Sequence, residues 1–236
     1  MSQPQRKGNV TARKRATPRE RARESTRAEA RKIASRQLAE GGIEALSLKA
    51  IAAELGLTGP AIYRYFANRN ELLTELIIDA YDDVTETLGA AARSAAAQPA
   101  ADELFAVASA FRGWALAQPH LFRLLYAAPV PGYDANADRL VEAASRSMAI
   151  LLLALARAAP GRAVQPPLSP SLAAQLSACA TWLGRDASDP DVLYCGVIAW
   201  TRLYGFVALE IEGAFQSMGI DAGALYRREV EALLAV

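Results

Sequence analysis

Apolar side chains recur along this chain at the three- and four-residue spacing of helix faces. Ala30, Ile33, Ala34 and Leu38 share one face of a helix expected over about 23–40, which Gly41-Gly42 ends. Ser47 is a suitable N-cap for a second helix over 48–54. Thr58 is placed to cap a third over 59–65, with Pro60 in its first turn, where a missing N–H does no harm. Asn68 precedes a longer helix over 69–90, striped by Leu72, Leu73, Leu76, Ile77 and Tyr81. After an Ala-rich connector, helices are expected over 102–117, 119–126, 135–158, 170–185, 190–216 and 221–234, punctuated at Pro119, Pro129–Pro131, 160–170 and Asp189-Pro190. The fold class is all-α. It comprises an N-terminal three-helix domain and a larger C-terminal helical domain.

The helix-turn-helix is read from 46–66. Two short helices crossing steeply need a small residue at their contact and a residue tolerant of positive φ between them; Ala52 and Gly56 fill those places. Ile51, Leu55, Leu57, Ile62 and Tyr65 occupy the inward positions. The expected division is a flexible basic arm at 1–22, the helix-turn-helix domain at 23–68, and a ligand-binding and dimerisation domain at 69–236, in which 69–90 is the connecting helix.

Charge sharpens this picture. The whole chain of 236 residues carries a formal charge of only +1. Residues 1–37, however, hold 12 Lys or Arg against 3 Asp or Glu (+9), and the other 199 hold 14 against 22 (−8). A basic segment beside a helix-turn-helix is a footprint for phosphate. Arg13-Lys14-Arg15, Arg19, Arg21 and Arg23 are expected on an arm that follows the DNA backbone or enters the minor groove. Half the residues are apolar, charges, Gly or Pro break every candidate membrane span, and no signal-like apolar segment opens the chain. A cytoplasmic protein with no membrane partner is the expectation.

In order and at its spacing, Ser47-Leu48, Ile51-Ala52, Leu55-Gly56-Leu57-Thr58, Ile62-Tyr63-Arg64-Tyr65-Phe66, Arg69 and Leu72-Leu73 resemble the DNA-binding domain of the TetR family of bacterial regulators. Residues 114–126 resemble the start of the C-terminal domain found in its WHG branch. The resemblance implies a transcriptional repressor that binds double-stranded DNA at a palindromic operator as a homodimer and releases it on binding a small apolar or aromatic effector. It also implies that residues matching Ser47, Tyr63, Tyr65 and Arg69 lie near phosphates. On the third helix Thr58, Gly59, Pro60, Tyr63 and Arg64 point away from the inward Ile62, and Arg64 suits a guanine edge. Lys49 can reach phosphate or remain solvated. Tyr65 fits phosphate contact and core equally well; Phe66 is assigned to the core.

For the effector, the candidates are Phe105, Phe111, Trp114, Phe122, Tyr126, Met148, Trp182, Trp200 and Tyr204, although aromatics at this spacing more often form ordinary core. Trp114 and Tyr126 bracket the bend at Pro119. One histidine, His120, argues against a metal site, and no cofactor is expected. Catalytic fingerprints are absent, and acidic pairs such as Asp82-Asp83 point in different directions on helices. Two other readings stay open: a ligand-blind architectural DNA-binding protein, and a redox-responsive regulator using Cys179 and Cys195. For the dimer, the helix at 190–216 is apolar on more than one side, so Trp200, Tyr204, Val207 and Ile211 are expected to face the core. Phe206 is placed on an outer face that meets a second subunit alongside 170–185.

Overall fold

The computed structural model describes residues 17–126, 138–158, 164–182 and 189–235. Every regular element among them is helical. The first helix, α1 (Pro18–Gly41), starts five residues before its expected position because the Thr17 hydroxyl accepts from the Glu20 N–H and the Glu20 carboxylate accepts from the Thr17 N–H. This reciprocal pair with Pro18 in the first turn is a strong helix start. Arg19, Arg21 and Arg23 therefore lie on a helix and not on a flexible arm, whereas Arg13-Lys14-Arg15 lies outside the described residues.

A single 3-10 turn (Ile43–Ala45) leads to α2 (Leu48–Glu54), capped by the Ser47 hydroxyl on the Ala50 N–H at 3.3 Å. Its end is a Schellman turn. The Leu57 N–H reaches the Ala52 carbonyl at 2.8 Å and the Gly56 N–H reaches Ala53 at 3.1 Å, with Gly56 at φ +67°. The next helix, α3 (Gly59–Ile62), is shorter than the expected 59–65. From Arg64 onward the backbone tightens: the Arg64 and Tyr65 N–H groups bond to carbonyls three residues back.

The connecting helix α4 (Arg69–Ala95) is capped by Asn68 and runs five residues past its expected end, into the Ala-rich segment that sequence alone assigned to a connector. Around it lie α5 (Ala100–Ala117), α6 (Pro119–Tyr126) and α7 (Asp138–Ala158). Outside these, α8 (Pro170–Trp182) and α9 (Pro190–Ile211) pack together, and α10 (Ala214–Ser217) and α11 (Ala222–Ala235) close the far side against α5 and α9. The span expected as one helix over 190–216 is thus two, broken at Glu212-Gly213. The core is continuous from Ile33, Ile51, Ile62 and Phe66 at the N-terminal end, through Leu72, Leu76 and Val84 of α4, to Val107, Leu203, Val207 and Val230. α1 also touches α6 directly, so the two halves meet at more than the connecting helix.

Contrary to the expectation that charges interrupt every candidate span, α9 is long and apolar enough by composition to cross a membrane. Here its Leu193, Ala199, Leu203 and Val207 are buried within a helical domain, and Arg202 and Glu210 pair with Glu229 and Arg112.

Where α9 crosses α7 the helices come very close. A Cβ at Gly196 would fall 1.8 Å from Cδ2 and 3.2 Å from Cγ of the buried Leu152. Gly→Ala within a helix ordinarily stabilises by up to about 1 kcal/mol. Overpacking costs about 1–3 kcal/mol and should win here. Gly196→Ala is expected to destabilise the protein in urea unfolding; a stabilised variant would show that Leu152 moves aside freely.

Candidate nucleic-acid interface

Four residues are too few to sustain a helix alone, so α3 is held by what surrounds it. From beneath, Ile62 and Phe66 are fully buried. From α1, Arg23 Nη2 donates to the Arg64 carbonyl at 3.1 Å, and Arg27 Nη1 donates to the Tyr65 carbonyl. The Arg27 guanidinium also lies 4.6 Å over the Phe66 ring and bridges to Glu71 (3.3 Å) and Glu75 (3.5 Å) on α4. Two consecutive carbonyls that leave the helix unpaired are thereby satisfied by α1.

The outward surface of this scaffold carries Thr58, Gly59, Pro60, Tyr63 and Arg64, all exposed, with Tyr63 retaining 57% of its accessible surface. Lys49 is exposed on the adjacent α2, and Ser47 is half-buried with its hydroxyl engaged as the cap. An aromatic and a guanidinium at the open edge of a two-helix wedge can meet a groove wall and a base edge together. Tyr65 is half-buried and packs against the core, the bland one of its two expected roles.

Arg69 departs furthest from its expected place. Its Nε donates to the Leu46 carbonyl at 3.2 Å and one Nη to the Ile43 carbonyl, so it ties α4 to the turn that precedes α2. Of the basic surplus near the N-terminus, Arg31 bonds Asp79 at 2.7 Å and Arg36 pairs with Glu54. Part of the +9 read as a phosphate footprint is therefore engaged within the protein: Arg27 and Arg31 hold α1 to α4, and Arg36 pairs with Glu54 at the surface. Arg19, Arg21 and Lys32 remain exposed.

In the C-terminal domain the expected effector residues do not all gather in one place. Phe111, Phe122, Tyr126 and Tyr204 form one ring cluster with centroids 5.2–6.4 Å apart, joined by Tyr81 of α4 and, through Tyr204, by Trp200. Burial, and then the neighbouring Tyr81 and Tyr204, raise the Tyr126 phenol far above its usual range, so it stays neutral. Trp114 is buried beside this cluster, its Nε1 donating to Asp83 of α4 at 2.8 Å; Gln118 Nε2 donates to the same carboxylate oxygen at 2.7 Å. Met148 packs at the margin of the core, and the side chain of Trp182 lies outside the described residues. Phe105 stands apart. It lines a cleft of about 560 Å³ between α5 and α11, with Arg227 stacked 4.2 Å over its ring and Arg112 paired to Glu210 nearby. His120 is half-buried at the start of α6, where desolvation lowers its pKa. Cys179 is exposed and Cys195 half-buried; both are thiols, not a disulfide. Among the described residues no His, Cys, Asp and Glu gather as a metal site.

Residues 32–76 match the bacterial regulatory protein model of the tetR family, and 104–233 match a tetracyclin repressor-like C-terminal domain. The chain belongs to the TetR family of regulators. It is 34% identical to the HTH-type transcriptional regulator Rv1816 of Mycobacterium tuberculosis, over 91% of this chain and 93% of that one. The solved regulatory protein SCO4313 is 39% identical, with a TM-score of 0.77 over 93% of this chain and all of the other. The TetR family regulator PfmR of Thermus thermophilus shares the fold at 17% identity, with a TM-score of 0.51 over 89% of this chain and 97% of that one. This TetR chain is accordingly a DNA-binding transcriptional regulator.

The position of Arg69 has a direct consequence. If its main role is to tie α4 to the 3-10 turn, Arg69→Ala takes the side-chain donor from the Leu46 carbonyl and leaves the Ile43 carbonyl only the Leu46 N–H. It should then cost about 1–3 kcal/mol of stability with no DNA present. Chemical unfolding of the free protein checks this; an unchanged midpoint would return Arg69 to a purely phosphate-facing role.

Proposed function

We propose that this TetR regulator is a ligand-responsive repressor. It binds a palindromic operator as a homodimer and releases it when a small apolar or aromatic effector enters the C-terminal domain. The observation that carries the DNA reading is the exposed Tyr63-Arg64 pair on a buried Ile62–Phe66 anchor. Thr58, Gly59, Pro60 and Arg64 face base edges, while Ser47, Lys49 and Tyr63 face phosphate. Tyr65 contributes at most its ring edge. A protein with this task works where bacterial DNA is, in the cytoplasm.

The effector reading rests on the aromatic cluster around Tyr126 and Tyr204 and on its link to α4. Asp83 holds Trp114 and Gln118 from the connecting helix, so a ligand that displaces those rings also moves α4. A ligand-blind architectural protein has no need of that link.

For the dimer, the outer face of α9 differs from the expected one. Phe206 points to its own domain, 4.5 Å from Phe215 and 5.1 Å from Tyr226. Val197, Thr201, Gly205 and Leu209 form the open stripe instead, and a Cβ at Gly205 would meet nothing within 4 Å. Beside it, α8 carries no charged residue, and Leu172, Ala174, Ala178 and Cys179 are exposed. Such an uncharged surface suits a second copy of the chain. One helix-turn-helix spans too few bases for useful selectivity, and a two-fold pair reads half-sites about one helical turn apart.

Two experiments test these readings. In gel-shift titrations against a duplex selected from a random pool by the wild-type protein, Arg64→Ala should relax sequence preference, while Tyr63→Ala weakens all sequences alike. Tight, selective binding by both variants would sink the DNA assignment. In sedimentation at micromolar concentration the wild type should be a dimer, and Val197→Glu should shift it to monomer. A dimeric Val197→Glu would move the interface off this stripe, and a monomeric wild type would remove the dimer altogether.

A further inference from the structure

Arg27 and Glu75 occupy a position that neither DNA contact nor effector binding explains. Arg27 sits on α1, and its side chain keeps only 15% of its exposure, so it is not available to phosphate. Nevertheless it touches three of the groups that fix the reading segment: the Tyr65 carbonyl, the face of Phe66, and Glu71, whose other oxygen accepts from the Ala67 N–H at 2.6 Å. A planar fork with five donors can serve a carbonyl, a ring face and a carboxylate at once; a lysine cannot.

Glu75, one turn further along α4, divides the same arginine with a second helix. Its Oε1 lies 3.5 Å from Arg27 Nη2 and 3.3 Å from Nη2 of Arg139, in the first turn of α7; its Oε2 lies 3.7 Å from Arg31. Two guanidiniums from different domains therefore share one carboxylate oxygen. Seven residues later the pattern repeats, with Arg146 of α7 on Asp82 of α4. The α4–α7 seam thus carries two ionic clasps, and only the first reaches the DNA-reading end. Being partly exposed, each clasp contributes little to stability. What the first can do is bias geometry, because a change in α7 alters how strongly Glu75 draws Arg27.

We propose that Arg27 is a positioning residue for the DNA-reading segment, and that Glu75, shared between Arg27 and Arg139, makes its grip depend on the placement of α7. This rests on the reading that Tyr63 and Arg64 contact DNA. With Arg139 removed, the unbalanced carboxylate pulls Arg27 towards α4 and off the Tyr65 carbonyl. The backbone that presents Tyr63 and Arg64 then loosens. The coupling needs no contact between Arg139 and DNA, only a shared element biased from both ends.

The test uses the full-length protein and the selected duplex, with fluorescence anisotropy at several salt concentrations and an unrelated duplex as control. Arg27→Lys keeps the charge and loses the fork. It should weaken binding to the selected duplex by on the order of tenfold, leaving the unrelated duplex and the salt slope unchanged. A wild-type affinity in Arg27→Lys would overturn the positioning role. Arg139 is 67% exposed, so Arg139→Ala can be expected to fold. It should weaken selective binding roughly threefold, and should have no further effect in a Glu75→Gln background. An unchanged affinity in Arg139→Ala, or full additivity with Glu75→Gln, would overturn the coupling. Tyr63→Ala and Arg64→Ala, run alongside, separate the two levels. If both bind like wild type, the DNA reading itself fails; if they lose binding while Arg27→Lys does not, only the present inference does.

Discussion

The reading segment depends on a helix that cannot support itself. A helix of four residues leaves most of its carbonyls without intrahelical partners, and its propensity is negligible against the cost of nucleation. Its position is set from outside: Ile62 and Phe66 press it into the core, and Arg23 and Arg27 take the carbonyls of Arg64 and Tyr65. Tyr63 and Arg64 can stay solvated because their neighbours are not. The exposed surface proposed to meet DNA and the contacts that hold it are neighbouring residues of one short stretch.

The same economy explains the distribution of charge. An exposed ion pair stabilises little, and a solvated arginine is cheap to keep for phosphate. Along α1 the chain uses both possibilities. Arg27 and Arg31 turn inward onto the acidic face of α4, Arg36 is drawn to Glu54, and Arg19, Arg21 and Lys32 remain at the surface. The acidic residues Glu71, Glu75 and Asp79 lie along α4 at helical spacing, so they meet α1 as a strip. One helix serves as core wall, electrostatic rail and link between the domains.

Beyond that link, the C-terminal domain is assembled around aromatic rings. Edge and offset contacts among Phe111, Phe122, Tyr126 and Tyr204 fill the space between α5, α6 and α9, and Asp83 ties the adjoining Trp114 back to α4. On the far side, the cleft that Phe105 lines is bounded by arginines, so the two regions favour different chemistries.

Much of this was legible in the chain itself. Helical periodicity, the caps at Ser47 and Asn68, and Gly56 in its turn are local properties, so they predict the helix-turn-helix and the all-helical fold without reference to distant residues. The early start of α1 was also legible, in Thr17-Pro18-Arg19-Glu20, but the basic run around it masked the capping box. Other features are decided by partners remote in sequence. Arg69 turns to the carbonyls of Ile43 and Leu46, Phe206 turns to Phe215 and Tyr226, and Glu75 is shared between α1 and α7. Sequence spacing determines which residues share a helix face. Only tertiary structure determines which element that face meets, because a charge or an aromatic ring suits solvent, a partner side chain or a ligand equally well until the neighbouring helix is in place.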